Sequence, residues 1–222
     1  TPYTSHPPVL IGKKSLPAAF LIPGMLVAPV FLLVAVVQIL TVPGFDIRQH
    51  AVSSLQNGQF GWIQSVNFIV SGIFALLFAM GARAVLQGRP GRRWIPILFA
   101  VFGAGMIVAG IFPPDPALGF PEGAPAGAPE SFSTQGILHT VGFMGAFPAL
   151  IANCFVCARS LGTESSAVRR LSIAVGVATP VLIALGSSAF PDHAGIFILA
   201  AGVVSFVWLS AIAVFLRQGV NK

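Results

Sequence analysis

Residues 62–86, WIQSVNFIVSGIFALLFAMGARAVL, carry one charged side chain, Arg83, close to their end. About 20 mostly apolar residues suffice for a helix to cross the hydrocarbon core of a bilayer, so this run reads as a membrane span. Its polarity is uneven. Trp62 opens it as an interfacial aromatic, Gln64, Ser65, Asn67 and Ser71 fall in its first part, and Arg83 is placed to snorkel at the other end. Polar groups of this kind are unfavourable against lipid, which predicts that their face turns into a helix bundle.

Five similar runs lie near 17–40, 94–112, 136–157, 171–190 and 195–216. With 55% hydrophobic and 8% charged residues, the composition excludes a soluble domain. The expected fold is an all-α membrane protein, a bundle of six transmembrane helices over residues 17–216, with an arm at 1–16 and a tail at 217–222. The first run is too long for a signal peptide and lacks a cleavage site. Pro23, Pro29, Pro148 and Pro180 fall within expected helices, where each removes a backbone donor and favours a bend.

The net charge of +6 is a matter of placement. Lys13 and Lys14 precede the first span, Arg83, Arg89, Arg92 and Arg93 surround the second connection, Arg159, Arg169 and Arg170 the fourth, and Arg217 and Lys222 follow the sixth span. The positive-inside rule puts these groups, and both termini, on the cytoplasmic side of the inner membrane. Arg48 alone among the basic residues falls on the other face, together with Asp46, Asp115, Glu122, Glu130 and Asp192 and the histidines His50, His139 and His193. The basic residues thus read as a topology signal, and nucleic-acid binding is excluded. Cys154 and Cys157 form a C-x-x-C on a helix with no second ligand pair, and read as small apolar residues in a reducing compartment.

The connection before the second span, FDIRQHAVSSLQNGQFGW (45–62), is too polar for a plain linker. Asp46 with Gln49 three residues on suggests a capping box, and Asn57-Gly58 a helix end. These signals predict a short surface helix with Asp46, His50, Ser53 or Ser54, and Asn57 on its polar side. The second outer connection, Pro113–Gly136, is rich in proline and glycine and reads as a loop folded over the bundle mouth. Gly103, Gly105, Ala109 and Gly110 in the third span and Gly142 and Ala146 in the fourth offer small-residue faces for close helix contact, within the bundle or to a membrane-protein partner or a second copy.

The segments FDIRQHAVSSLQNGQFGWIQSVNF, FPPDPALGFPEGAP and GILH, in this order and spacing, resemble the membrane proteins gathered under domain of unknown function 998. The resemblance runs from about Pro17 to Leu216, on Asp46, His50, Ser53, Ser54, Leu55, Gly61, Trp62, Asp115, Pro116, Gly136 and His139. It implies six membrane helices and brings no established reaction or ligand. Two positions depart from the pattern: Ala51 stands where a proline often follows the histidine, and Gln135 where a polar aromatic or histidine is frequent.

Three uses of the outer polar set follow. Asp46, Arg48, His50, Ser53, Asn67, Asp115 and His139 can bind a membrane-lipid head group or a small polar ligand, which is the reading preferred on sequence. Ser53 or Ser54 with His139 and Asp115 can form a lipid hydrolase, or His50, His139 and His193 with Asp192 can hold a zinc ion. In the third, the acids cap and fix turns while the histidines hold the outer loops together. Either of the first two requires convergence, so His50, His139 and Asp115 are expected near one another. No span carries a charge at mid-bilayer, which argues against an ion-coupled pump.

Overall fold

The computed structural model describes residues 18–129 and 131–220. The expected arm at 1–16, Glu130 and the last two residues lie outside them. Six helices are long and apolar enough to cross a membrane among the described residues. They are α1 (Ile22–Thr41), α2 (Trp62–Val85), α3 (Trp94–Ile111), α4 (Thr134–Ser160), α5 (Ser166–Ala184) and α6 (Ala194–Val220). No strand is formed among these residues; Ala117 and Phe120 make an isolated bridge within a loop.

Local signals fix the helix ends. Pro23 stands in the first turn of α1, where its missing N–H costs nothing. The Ser133 hydroxyl accepts from Gly136 N–H at 3.0 Å and starts α4, and Ser165 does the same for Val168 N–H at 3.3 Å at the start of α5. α5 therefore begins before the expected 171, and it leaves α-helical geometry in a π-helical turn at Leu185–Ala189.

Each helix packs on its neighbours in sequence, and α6 returns to α1 to close a ring. Glycine sets the tightest contacts. A Cβ on Gly72 would lie 2.5 Å from the Gly103 carbonyl oxygen, and one on Gly103 2.7 Å from that of Gly72. Gly105 and Gly142 repeat this reciprocity at 2.5 and 2.7 Å, so α3 is wedged between α2 and α4 with backbones in direct contact. The small-residue faces read from the sequence are thus used inside the bundle.

Ring closure uses a hydroxyl: Ser210 Oγ accepts from Ala28 N–H at 3.2 Å and donates to the Gly24 carbonyl at 3.0 Å, joining α6 to the backbone of α1. Trp208 Nε1–H donates to Ser172 Oγ at 2.9 Å, and Thr179 and Ser205 hydroxyls pair at 2.8 Å, joining α5 to α6. The ring's centre is aromatic, with Phe31, Phe68, Phe102, Phe147 and Phe206 in edge or stacked contact. The outward surface is apolar, as in Leu40 at 79% exposure and Leu33 at 67%, the expected pattern for helices bathed in lipid.

One face of the ring carries the three long connections, at 42–61, 112–133 and 185–193; the other carries the short ones, where Arg89 pairs with Glu164. In the first long connection the helical segment is a 3-10 helix, Val52–Asn57. It does not reach back to Asp46: residues 46–50 form turns, and Ala51 is extended (φ −63°, ψ 149°). The reason is tertiary. The start of α6 presses on this segment, with Gly195 N–H donating to the Arg48 carbonyl at 3.0 Å, and a Cβ on Gly195 would come within 2.4 Å of the His50 carbonyl oxygen.

Candidate functional site

The polar residues of the long-loop face divide into three groups. The first fastens the connections. His50 is 3% exposed; its Nδ1 accepts from Asp46 N–H at 2.9 Å and its Nε2 reaches the Leu118 carbonyl at 3.0 Å. A carbonyl only accepts, so Nε2 carries the proton and both ring nitrogens are used. Phe45 and Phe120 pack on the ring with centroids 5.4 and 5.2 Å away.

Asn57 Nδ2 donates to the Pro114 carbonyl at 2.9 Å, and Gln56 Nε2 to the Ala109 carbonyl at 2.9 Å. Asp115 accepts from Ser133 N–H at 3.0 Å and lies against Gly136, in the first turn of α4, where the helix dipole favours a carboxylate. Asp46 turns to Arg48: its carboxylate accepts from Arg48 N–H and Nε–H at 3.0 Å and from Nη2–H at 2.6 Å. The hydrogen bonds from Arg48 hold the Asp46 carboxyl down to about 2, with the cation's charge adding to the shift.

His50, Asn57 and His139 engage the stretch from Phe112 to Leu118, each at a different carbonyl, and Asp115 of that stretch ties it to the start of α4. They are neighbours in a clasp rather than donors to one centre. Asp192 and His193 are exposed on a 3-10 turn at Pro191–His193. Among the described residues no group of three His, Cys, Asp or Glu side chains is placed to hold a metal ion, so the expected grouping of His50, His139, His193 and Asp192 around zinc is not formed by this fold.

The second group is buried between α1 and α2. Asn67 Nδ2 donates to the Phe31 carbonyl at 3.1 Å, which fixes its amide orientation; Gln64 Oε1 then accepts from Asn67 at 3.3 Å and from Gln38 Nε2 at 2.8 Å. Gln38 Oε1, Gln64 Nε2, Asn67 Oδ1 and Ser71 Oγ are buried and have no hydrogen-bond partner among the described residues. Asn67 and the polar start of α2 were legible as bundle-facing. Gln38 and Gln56 were missed, although a lone glutamine in the apolar run of α1 was a usable signal.

The third group is Ser53 and His139, which line a cavity of about 60 Å³ in the half of the ring nearest the long loops. Its walls come from α1, α2, α3, α4 and α6 and from the 3-10 helix; α5 contributes none. Phe143 and Phe147 of α4 therefore face Leu199 and Val203 of α6 across a gap, and Phe143, Leu199 and Val203 are half-exposed. α4 and α6 thus form most of its wall.

His139 Nδ1 sits 2.8 Å from the Phe112 carbonyl and 3.1 Å from that of Ala109, at the end of α3. Nδ1 must carry the proton, and Nε2 of the neutral ring is left as an acceptor with no partner among the described residues. The Ser53 hydroxyl also makes no hydrogen bond among them, including none to His139, whereas Ser54 does not line the cavity. Asp115, spent on the start of α4, makes no bond to His139. No charged residue lines the cavity.

Comparison with known proteins found no match among curated proteins and none among solved structures. Residues 25–215 match a family described as "Protein of unknown function (DUF998)". That match covers most of the chain, from within α1 to within α6, and so the chain, with its six helices long and apolar enough to cross a membrane, belongs to the DUF998 family.

Proposed function

We propose that this protein binds a membrane amphiphile by its polar end in the cavity lined by α4 and α6, with Ser53 and His139 receiving that end, the aromatic lining its first carbons, and the rest of the hydrocarbon leaving past the partly exposed Phe143, Leu199 and Val203. The observation that carries this reading is the polarity of the cavity: a free hydroxyl and a free imidazole nitrogen near the long loops, and Phe31, Phe147 and Phe206 deeper in. This gradient runs along the bundle axis, as a lipid does in one leaflet, and a largely apolar pocket with a few placed polar groups is the usual form of a ligand site.

The protein is read as lying in the inner membrane with both termini cytoplasmic. Arg83, Arg92, Arg93, Arg159, Arg169, Arg170 and Arg217 flank the short connections and the end of α6, whereas Arg48 on the long-loop face is neutralised by Asp46. A hydrolase receives less support from the geometry, since Ser53 and His139 share a cavity without a hydrogen bond and no carboxylate orients the histidine.

The test is lipid extraction and mass spectrometry of protein purified from membranes. Gly202 lines the cavity and a Cβ there would meet no atom within 4 Å, so a side chain can start from it, and Gly202→Trp, whose indole exceeds the space, blocks the site. The parent should carry about one amphiphile per chain and Gly202→Trp far less. Equal recovery from both would contradict the reading.

A further inference from the structure

Resting on that cavity as the binding site, we infer that its ligand ends in an uncharged hydroxyl: a single-chain alcohol or a lipid presenting a free hydroxyl, rather than a carboxylate or phosphate. Three observations lead there. The His139 ring has Nδ1–H committed to the Ala109 and Phe112 carbonyls, so what it offers the ligand is an acceptor at Nε2. Ser53 offers a hydroxyl that can donate or accept. An alcohol answers both at once, donating to Nε2 and accepting from Ser53, whereas an ester or ether oxygen only accepts and leaves Nε2 unmet.

Charge points the same way. No Lys, Arg, Asp or Glu lines the cavity, and the charged groups of this face are committed elsewhere, Arg48 to Asp46 and Asp115 to the start of α4. A phosphate or carboxylate would lose its hydration without gaining a counter-charge, which is far more costly than burying a hydroxyl that is hydrogen-bonded. The walls exclude bulk as well. About 60 Å³ between Phe143, Phe147, Phe206 and Leu199 is smaller than the roughly 150 Å³ that takes a benzene ring, so it admits the hydroxyl end and the first carbons of one chain, the rest leaving past Phe143, Leu199 and Val203.

The experiment uses the full chain in nanodiscs, with radiolabelled oleyl alcohol as tracer and oleyl alcohol, oleate and oleyl phosphate as competitors sharing one chain. Oleyl alcohol should compete about ten-fold more effectively than oleyl phosphate, the difference expected from one or two hydrogen bonds and an unpaired charge. Ser53→Ala, which removes one hydroxyl, should weaken oleyl alcohol about three- to ten-fold and leave oleyl phosphate unchanged. His139→Phe should do the same, but it also releases the Ala109 and Phe112 carbonyls at the end of α3, and Ser53→Ala carries the test if that variant does not fold. Equal competition by all three, or a preference for phosphate or oleate, overturns the hydroxyl assignment while leaving the cavity as a lipid site. Saturable binding that persists in Gly202→Trp, or its absence in the parent, overturns the cavity reading itself.

Discussion

His50 uses both ring nitrogens on main-chain groups, one of them in a loop 68 residues away. Replacing it with alanine leaves the Asp46 N–H and the Leu118 carbonyl without their partner and opens a gap beside Phe120. His50→Ala should cost about 1–3 kcal/mol in denaturant unfolding, and a loss below about 0.5 kcal/mol would contradict the clasp. Asp46 tests the other side of the same turn. Its folded value lies below the ordinary 3.8, so the stabilisation from Arg48 is complete above that value and is lost as pH falls through about 2. In a carboxyl-carbon NMR titration Asp46 should show a midpoint near 2, and Arg48→Ala should return it toward 3.8. The sequence showed which residues on this face were out of place in a linker. It could not show their partners, because most of these are backbone carbonyls, which every residue has.

Among the elements, the six spans were legible because length and apolarity are local properties, and so was the close packing of α3, since glycines repeated along one run allow little else. The first connection was not. The capping signal at Asp46 and Gln49 is real as a pattern, but the Asp46 carboxylate is taken by the Arg48 guanidinium and N–H, and the start of α6 occupies the space the helix would need. Tertiary contact overrides local grammar there. The glycine pairs give a graded test. Gly105→Ala places a methyl 2.5 Å from the Gly142 carbonyl oxygen, whereas Gly145→Ala meets nothing within 4 Å. The first should destabilise by about 1–3 kcal/mol and the second should be near neutral in thermal unfolding; equal effects would show that α3 and α4 are not in backbone contact.

For the molecule as a whole, the ring explains why His50 and His139 lie on one face: they fasten the long connections, and His139 also borders the cavity. That cavity could not be read from sequence, since its lining is assembled from five helices and the 3-10 helix. Orientation can be tested with an impermeant maleimide, because Cys154 and Cys157 are 1% and 0% exposed and give little background. Glu122→Cys should label on intact cells and Thr163→Cys only after permeabilisation; the reverse pattern would invert the topology. Occupancy of the cavity can be read by photolabelling the full chain in nanodiscs with an oleyl alcohol carrying a mid-chain diazirine, and mapping the modified peptides. Saturable labelling of Phe143, Phe147 or Leu199–Val203, abolished by Gly202→Trp, is the predicted result. Labelling confined to outward-facing residues such as Leu33 and Leu40, and unchanged by Gly202→Trp, would contradict it.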